Sequence, residues 1–140
     1  MLKDRSSSAI VAVRDMNRAR EFYQNRLGLA LAEPSSMGDE VLTFRTGNTA
    51  LIVYRSDFAG TNRANAVVWD VGDEIEAIAA DLAARGVAFE HYEMPHTTYR
   101  DGVHHAGDFR MVWFKDPDGN VLHLNSGEAA TVTRSLKTDV

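Results

Sequence analysis

Apolar positions along the chain switch between two spacings in a regular order. Ala9-Ile10-Val11-Ala12-Val13 is a short β-branched run bounded by serines, which predicts a strand. Asp15 follows at a helix N-cap. Behind it Met16, Ala19, Phe22, Tyr23 and Leu27 recur at helical spacing, up to a closing Gly28. Leu29 to Glu33 predicts a second strand and Pro34 to Asp39 a loop. Val41 to Arg45 and Ala50 to Arg55 predict two strands joined through Thr46-Gly47-Asn48-Thr49, a hairpin turn by composition.

The same order then returns. Ala66 to Trp69 predicts a strand and Asp73 an N-cap, with Glu74 and Glu76 in the first turn, where they complement the helix dipole. Ile75, Ile78, Ala79 and Leu82 form the apolar stripe of a helix closed by Gly86. Val87 to His91 predicts a strand, and Tyr92 to Asp108 a long polar loop. Met111 to Phe114 and Asn120 to Leu124 predict a last hairpin around Asp116-Pro117-Asp118-Gly119. The repeat of strand, capped helix, strand and hairpin is roughly 60 residues long, too short for much core of its own, so the two copies are expected to pack as one domain. Module 1 spans about residues 8–58 and module 2 about 64–126. A connector around Gly60 joins them, and a polar tail, 127–140, follows.

Composition narrows the function classes. A formal net charge of −5 lacks the surplus of Lys and Arg that phosphate neutralisation requires, which excludes nucleic acid as a partner. No apolar run approaches the roughly 20 residues needed to cross a bilayer, so no membrane partner is expected. The polar start, Met1 to Ser8, has no signal-peptide core, and a cytoplasmic location is the expectation. With no cysteine, disulfides and thiolate chemistry are out of reach.

Three stretches carry a family resemblance: Val13 to Tyr23 followed by Leu27-Gly28-Leu29, then Asp81 to Val87, then Trp113 to Leu124 with its Asp-Pro-Asp-Gly-Asn turn. Together with the repeat they resemble the vicinal oxygen chelate superfamily, which includes glyoxalase I, extradiol dioxygenases, fosfomycin-resistance enzymes and bleomycin-resistance proteins. The resemblance covers about residues 8–125. It implies an α+β fold: two tandem βαβββ modules form a curved mixed sheet around a cavity, with the helices on the outer face. It also implies a homodimer, since family members pair modules within or across chains.

The resemblance further implies a metal site with one His, Glu or Gln from each of four strands. The matching positions here are Ser8, the aliphatic stretch Leu51-Ile52-Val53, Ala66 with its neighbours Asn65 and Val67, and His123. One ligand of four does not hold an ion, so neither metal nor other cofactor is expected.

Strand parity sorts the remaining candidates. On the last strand Leu122 and Leu124 take the core face, which turns Val121, His123 and Asn125 towards the cavity. Met111 and Trp113 share one face, Val112 and Phe114 the other. Trp113 and Met111 thus form either a ligand platform or ordinary core. His123 is either a general acid or base or a satisfied wall histidine. Val53, Asp70, Tyr99 and His105 complete the ligand-binding candidates, with Arg110 at the loop's edge. Trp69 is assigned to the core. His91, His96, His104 and His105 are read as solvated loop residues, with His96 or His105 available as part of a lid. The expected function is binding or sequestration of a small apolar or aromatic molecule without a metal. The alternative is a metal-independent isomerase or lyase using His123, and a metal-dependent lyase or dioxygenase ranks below both. Enzyme or binder is left open.

Overall fold

A computed structural model describes residues 1–32 and 39–127. The chain is α+β and divides into two compact units, Met1–Ala66 with Asp116–Val121, and Val67–Lys115 with the segment from Leu122 onward. Strand β1 (Ala9–Val13) leads into α1 (Met16–Arg20), where Asp15 caps the first turn by accepting from the backbone N–H of Arg18 at 3.0 Å. The helix continues as a π-helical stretch, Glu21–Arg26, in which Leu27 N–H reaches back to the Phe22 carbonyl. Next come β2 (Ala30–Leu31), β3 (Val41–Thr46) and β4 (Thr49–Arg55), giving a sheet of order β1-β4-β3-β2. Strand β1 runs parallel to β4, and β3–β4 is a hairpin closed on Gly47 and Asn48.

Register shows which face the helix covers. Val11 pairs with Val53 and Leu42 with Val53, while Phe44 pairs with Leu51. The Phe44 ring lies 6.0 Å from that of Tyr23 on the helix, so this set forms the core of the first unit. All five strand residues are at most 5% exposed. Each large apolar side chain buried this way contributes about 1.5–3 kcal/mol.

The turn at Asp116-Pro117-Asp118-Gly119-Asn120 closes the same unit. Asp116 is buried and accepts from the Tyr23 hydroxyl at 2.8 Å, the Asn120 side-chain amide at 2.8 Å, and the backbone N–H groups of Asp118 and Asn120. Asn120 also donates to the Ala12 carbonyl, and Asp118 pairs with Arg18. Burial raises the Asp116 pKa, and the hydrogen bonds oppose that rise. The Phe22-Tyr23 pair and the Asp-Pro-Asp-Gly-Asn turn, which carry the family resemblance, are thus one structural latch.

In the second unit β5 (Asn65–Asp70) runs into a 3-10 turn, Gly72–Glu74, and α2 (Ile75–Ala84). Strands β6 (Thr98–Arg100), β7 (Val103–Ala106), β8 (Phe109–Lys115) and β9 (Val121–Asn125) follow, in the order β5-β9-β8-β7-β6. Ile75, Ala79 and Leu82 of α2 are buried, as are Val112, Phe114, Leu122 and Leu124 of the sheet. Arg110 ties β8 to the helix through Glu76 and Asp73.

Four expectations are corrected. Val87 to His91 forms no strand, only a bridge between Phe89 and Phe114 with a hydrogen bond from Glu90 N–H to the Trp113 carbonyl. Its place along β8 is shared with the β6–β7 hairpin, which replaces most of the expected loop. Asp73 does not cap α2, because the 3-10 turn moves the helix start to Ile75 and the Asp73 carboxylate meets Arg110. The second strand is two residues long, and Glu33 and the loop 34–38 lie outside the described residues, as does nearly all of the expected tail.

Candidate functional site

The face of the second sheet opposite the one that Arg110 ties to α2 carries a continuous run of rings. Cross-strand pairing sets Tyr99 opposite His104 and His104 opposite Met111, so these residues share a face, and Trp113 follows Met111 two residues along β8. His104 meets Trp113 edge-on, with ring centroids 5.0 Å apart. Trp113 stacks on His123 of β9 at 4.6 Å with planes 22° apart. At the other end Tyr99 lies edge-on to His104 at 4.7 Å and stacks on His91 at 4.1 Å. Tyr92 packs edge-on to Trp113. Each ring contact of this kind adds about 0.5–1.5 kcal/mol beyond area burial.

The two imidazoles differ in what their nitrogens do. His104 is fully buried, its Nδ1 facing the Met111 carbonyl at 3.3 Å while its Nε2 accepts from the Tyr92 backbone N–H at 3.0 Å. Both nitrogens are committed, so His104 anchors the segment around Tyr92. His123 is 7% exposed and has Nδ1 3.0 Å from the Val112 carbonyl. Among the described residues no buried side-chain nitrogen or oxygen lacks a partner. The distal Nε2 of His123 has no protein partner there and so keeps access to the surface. Burial holds both histidines below the ordinary imidazole pKa, opposed in each case by the carbonyl at Nδ1.

The other candidates fall in different places. Met111 and Tyr99 lie on the ring face, with Val121 and Asn125 at the same parity as His123 on β9. Asn125 accepts from Gly127 N–H at the strand's end. Val53 is under the first unit's helix, fully buried, and offers nothing to a ligand. Asp70 is exposed and accepts from Gly72 N–H, which leaves it a turn former. Trp69 is half-buried and shares a face with buried Val67. His105 pairs with Arg110 on the helix-covered face, where a groove of about 600 Å³ opens between α2 and the β6–β7 hairpin, lined by Ala79, Ala80, Ala83 and Val103. His91 and His96 are exposed. The reading of His104 as a solvated loop residue is corrected: it is a core strand residue. Its signal was Asp101-Gly102, a two-residue hairpin turn between Thr98-Tyr99-Arg100 and Val103-His104, with both turn residues at positive φ (53° and 84°).

The positions where the family places a metal do not fit one. Ser8 is exposed, Leu51 and Val53 are core aliphatics and Ala66 has no donor, which leaves His123 as the single candidate ligand among these positions. Among the described residues no three His, Cys, Asp or Glu side chains converge as an ion would require.

A family profile described as Glyoxalase/Bleomycin resistance protein/Dioxygenase superfamily matches residues 5–124. The chain belongs to this superfamily. Solved structures with the same fold include a fosfomycin resistance protein of Mesorhizobium loti, with 15% identity and a TM-score of 0.65, where the match covers 95% of this chain and 99% of that one. A glyoxalase/bleomycin resistance protein/dioxygenase from Alicyclobacillus acidocaldarius shares 17% identity at a TM-score of 0.63, covering 87% and 90%. A fosfomycin resistance protein of Listeria monocytogenes, solved with Mn(II) and a dihydroxypropylphosphonic acid, shares 19% at 0.64, covering 88% and 90%. No curated protein matches the sequence. As a member of the superfamily the chain has two modules, and no helix among the described residues is long and apolar enough to cross a membrane.

Proposed function

We propose that this superfamily member binds a small apolar or aromatic molecule on the ring face of its second sheet, without a metal ion. The observation that carries the reading is the stack of Trp113 on His123 at 4.6 Å, extended through His104 to Tyr99. A half-buried indole and an exposed Tyr99 ring flanked by imidazoles suit a flat ligand, which gains dispersion and loses little conformational entropy. Metal independence rests on the donor-poor positions Ser8, Leu51 to Val53 and Ala66. The test is a screen of planar aromatic compounds by tryptophan fluorescence, with and without a chelator. Hits should survive chelation and vanish in Trp113→Ala, while Trp69→Ala, altered away from the rings, should lose stability and keep binding. Hits that need added Zn, Mn, Ni or Fe would remove the proposal's metal-free half.

A second reading has its own observation. An accessible Nε2 on a neutral, buried imidazole is a competent general base, so His123 can serve an isomerase or lyase reaction on the same face. In that case His123→Ala binds substrate without turnover. In the binding reading it merely weakens the complex.

A further inference from the structure

We infer that the ring face selects a neutral aromatic ligand bearing an O–H or N–H group, which it donates to Nε2 of His123. The inference rests on the binding face proposed above and deepens it. A carbonyl oxygen can only accept, so an imidazole nitrogen 3.0 Å from the Val112 carbonyl must carry the proton. In the neutral ring that leaves Nε2 as a bare acceptor, at the ring's distal end from the backbone. Burial supports the neutral form, because a charged ring on this nearly covered site would lose solvation. His104, which packs on the same indole, has both nitrogens engaged with backbone groups and offers no proton to an anion there.

A ligand ring lying against Trp113 therefore meets an acceptor at its edge. A phenol-type hydroxyl, or the N–H of a heteroaromatic, completes the hydrogen bond. An ether oxygen, a ketone or a carboxylate sets acceptor against acceptor and leaves a polar group unpaired in a dry site. The same geometry makes His123 the specificity-determining residue whether or not a reaction follows.

Two measurements test this. Nitrogen NMR of the unliganded protein should place the His123 proton on Nδ1, and a proton on Nε2 would overturn the inference on its own. Calorimetric titration should then compare naphthol, its methyl ether and naphthoate. Naphthol should bind about tenfold more tightly than either, the yield of roughly one net hydrogen bond. His123→Phe, which keeps a ring beside Trp113 and removes the acceptor, should bring naphthol and its ether to equal affinity. Ether binding as tight as naphthol in the unaltered protein leaves the aromatic face standing and overturns the donor preference alone. Failure of all three probes to bind removes the face itself, and the preference with it.

Discussion

Buried polar side chains in this protein are each answered by specific partners, and their loss should be measurable one at a time. Asp116 accepts four hydrogen bonds, one from the Tyr23 hydroxyl. Tyr23→Phe should destabilise by about 1–3 kcal/mol in urea unfolding, since the carboxylate keeps its burial and loses a donor; a change under about 0.5 kcal/mol would mean that the latch is not held there. His104 and His123 set the acid side of stability. Their folded pKa values are lowered from the ordinary histidine value of about 6.5, so the unfolded chain takes up protons first as pH falls. Their contribution is complete above that value and is lost as pH drops through the lower folded values. Asp116 runs the other way: its raised folded pKa relieves a penalty as it protonates, which softens the loss at lower pH. Unfolding free energies should therefore fall as pH drops below about 6.5, and a flat profile there would contradict the buried neutral imidazoles. Strand alternation alone placed Trp113, Met111 and His123 on one face, because parity on a regular strand has only two answers. It misplaced Val53, since parity does not say which of the two faces the helix covers. The Tyr23–Phe44 contact does.

At the level of elements, the least legible part was the run from Val87 to Asp108. Apolar and polar residues there suggested a strand and a loop, whereas β8 offers one edge that the Phe89 bridge and the β6–β7 hairpin divide between them. The hairpin turns on Gly102 at a φ of 84°, and a Cβ there would stand 2.5 Å from the Phe89 ring. Gly102→Ala should cost more than about 1 kcal/mol and speed amide exchange in β6 and β7, through both strain and that clash. Unchanged exchange would mean that the hairpin tolerates the substitution by shifting Phe89. Arg110→Ala is the contrasting case. It removes ion pairs with Glu76 and Asp73 that are largely solvent-exposed on the acidic side, so the expected loss is only about 0.5–1 kcal/mol, smaller still in high salt. The strand, helix and hairpin of the first module are legible in the sequence because capping, helix stripe and glycine stop all agree with its fold. Asp15 makes its cap; the analogous Asp73 is displaced by a 3-10 turn that composition does not announce.

For the molecule as a whole, the repeat and the three motif stretches were enough to expect the superfamily and its two-module α+β architecture. Assembly is a separate proposal. Each sheet ends in edge strands, and Ile10, Phe58 and Val68 are exposed apolar side chains, which favours a symmetric homodimer; light scattering at micromolar concentration should give twice the chain mass of 15.5 kDa, and a monomer would refute it. The central claim is that the ring face of the second sheet, and not the groove beneath α2, receives the ligand. Chemical-shift mapping with a planar aromatic hit on isotope-labelled protein tests it most directly. The largest perturbations should fall on the Trp113 indole, the His123 ring, the Met111 methyl and the Tyr99 ring. Perturbations centred on Ala79, Ala83 and His105 would place the ligand in the helix-side groove and contradict the account.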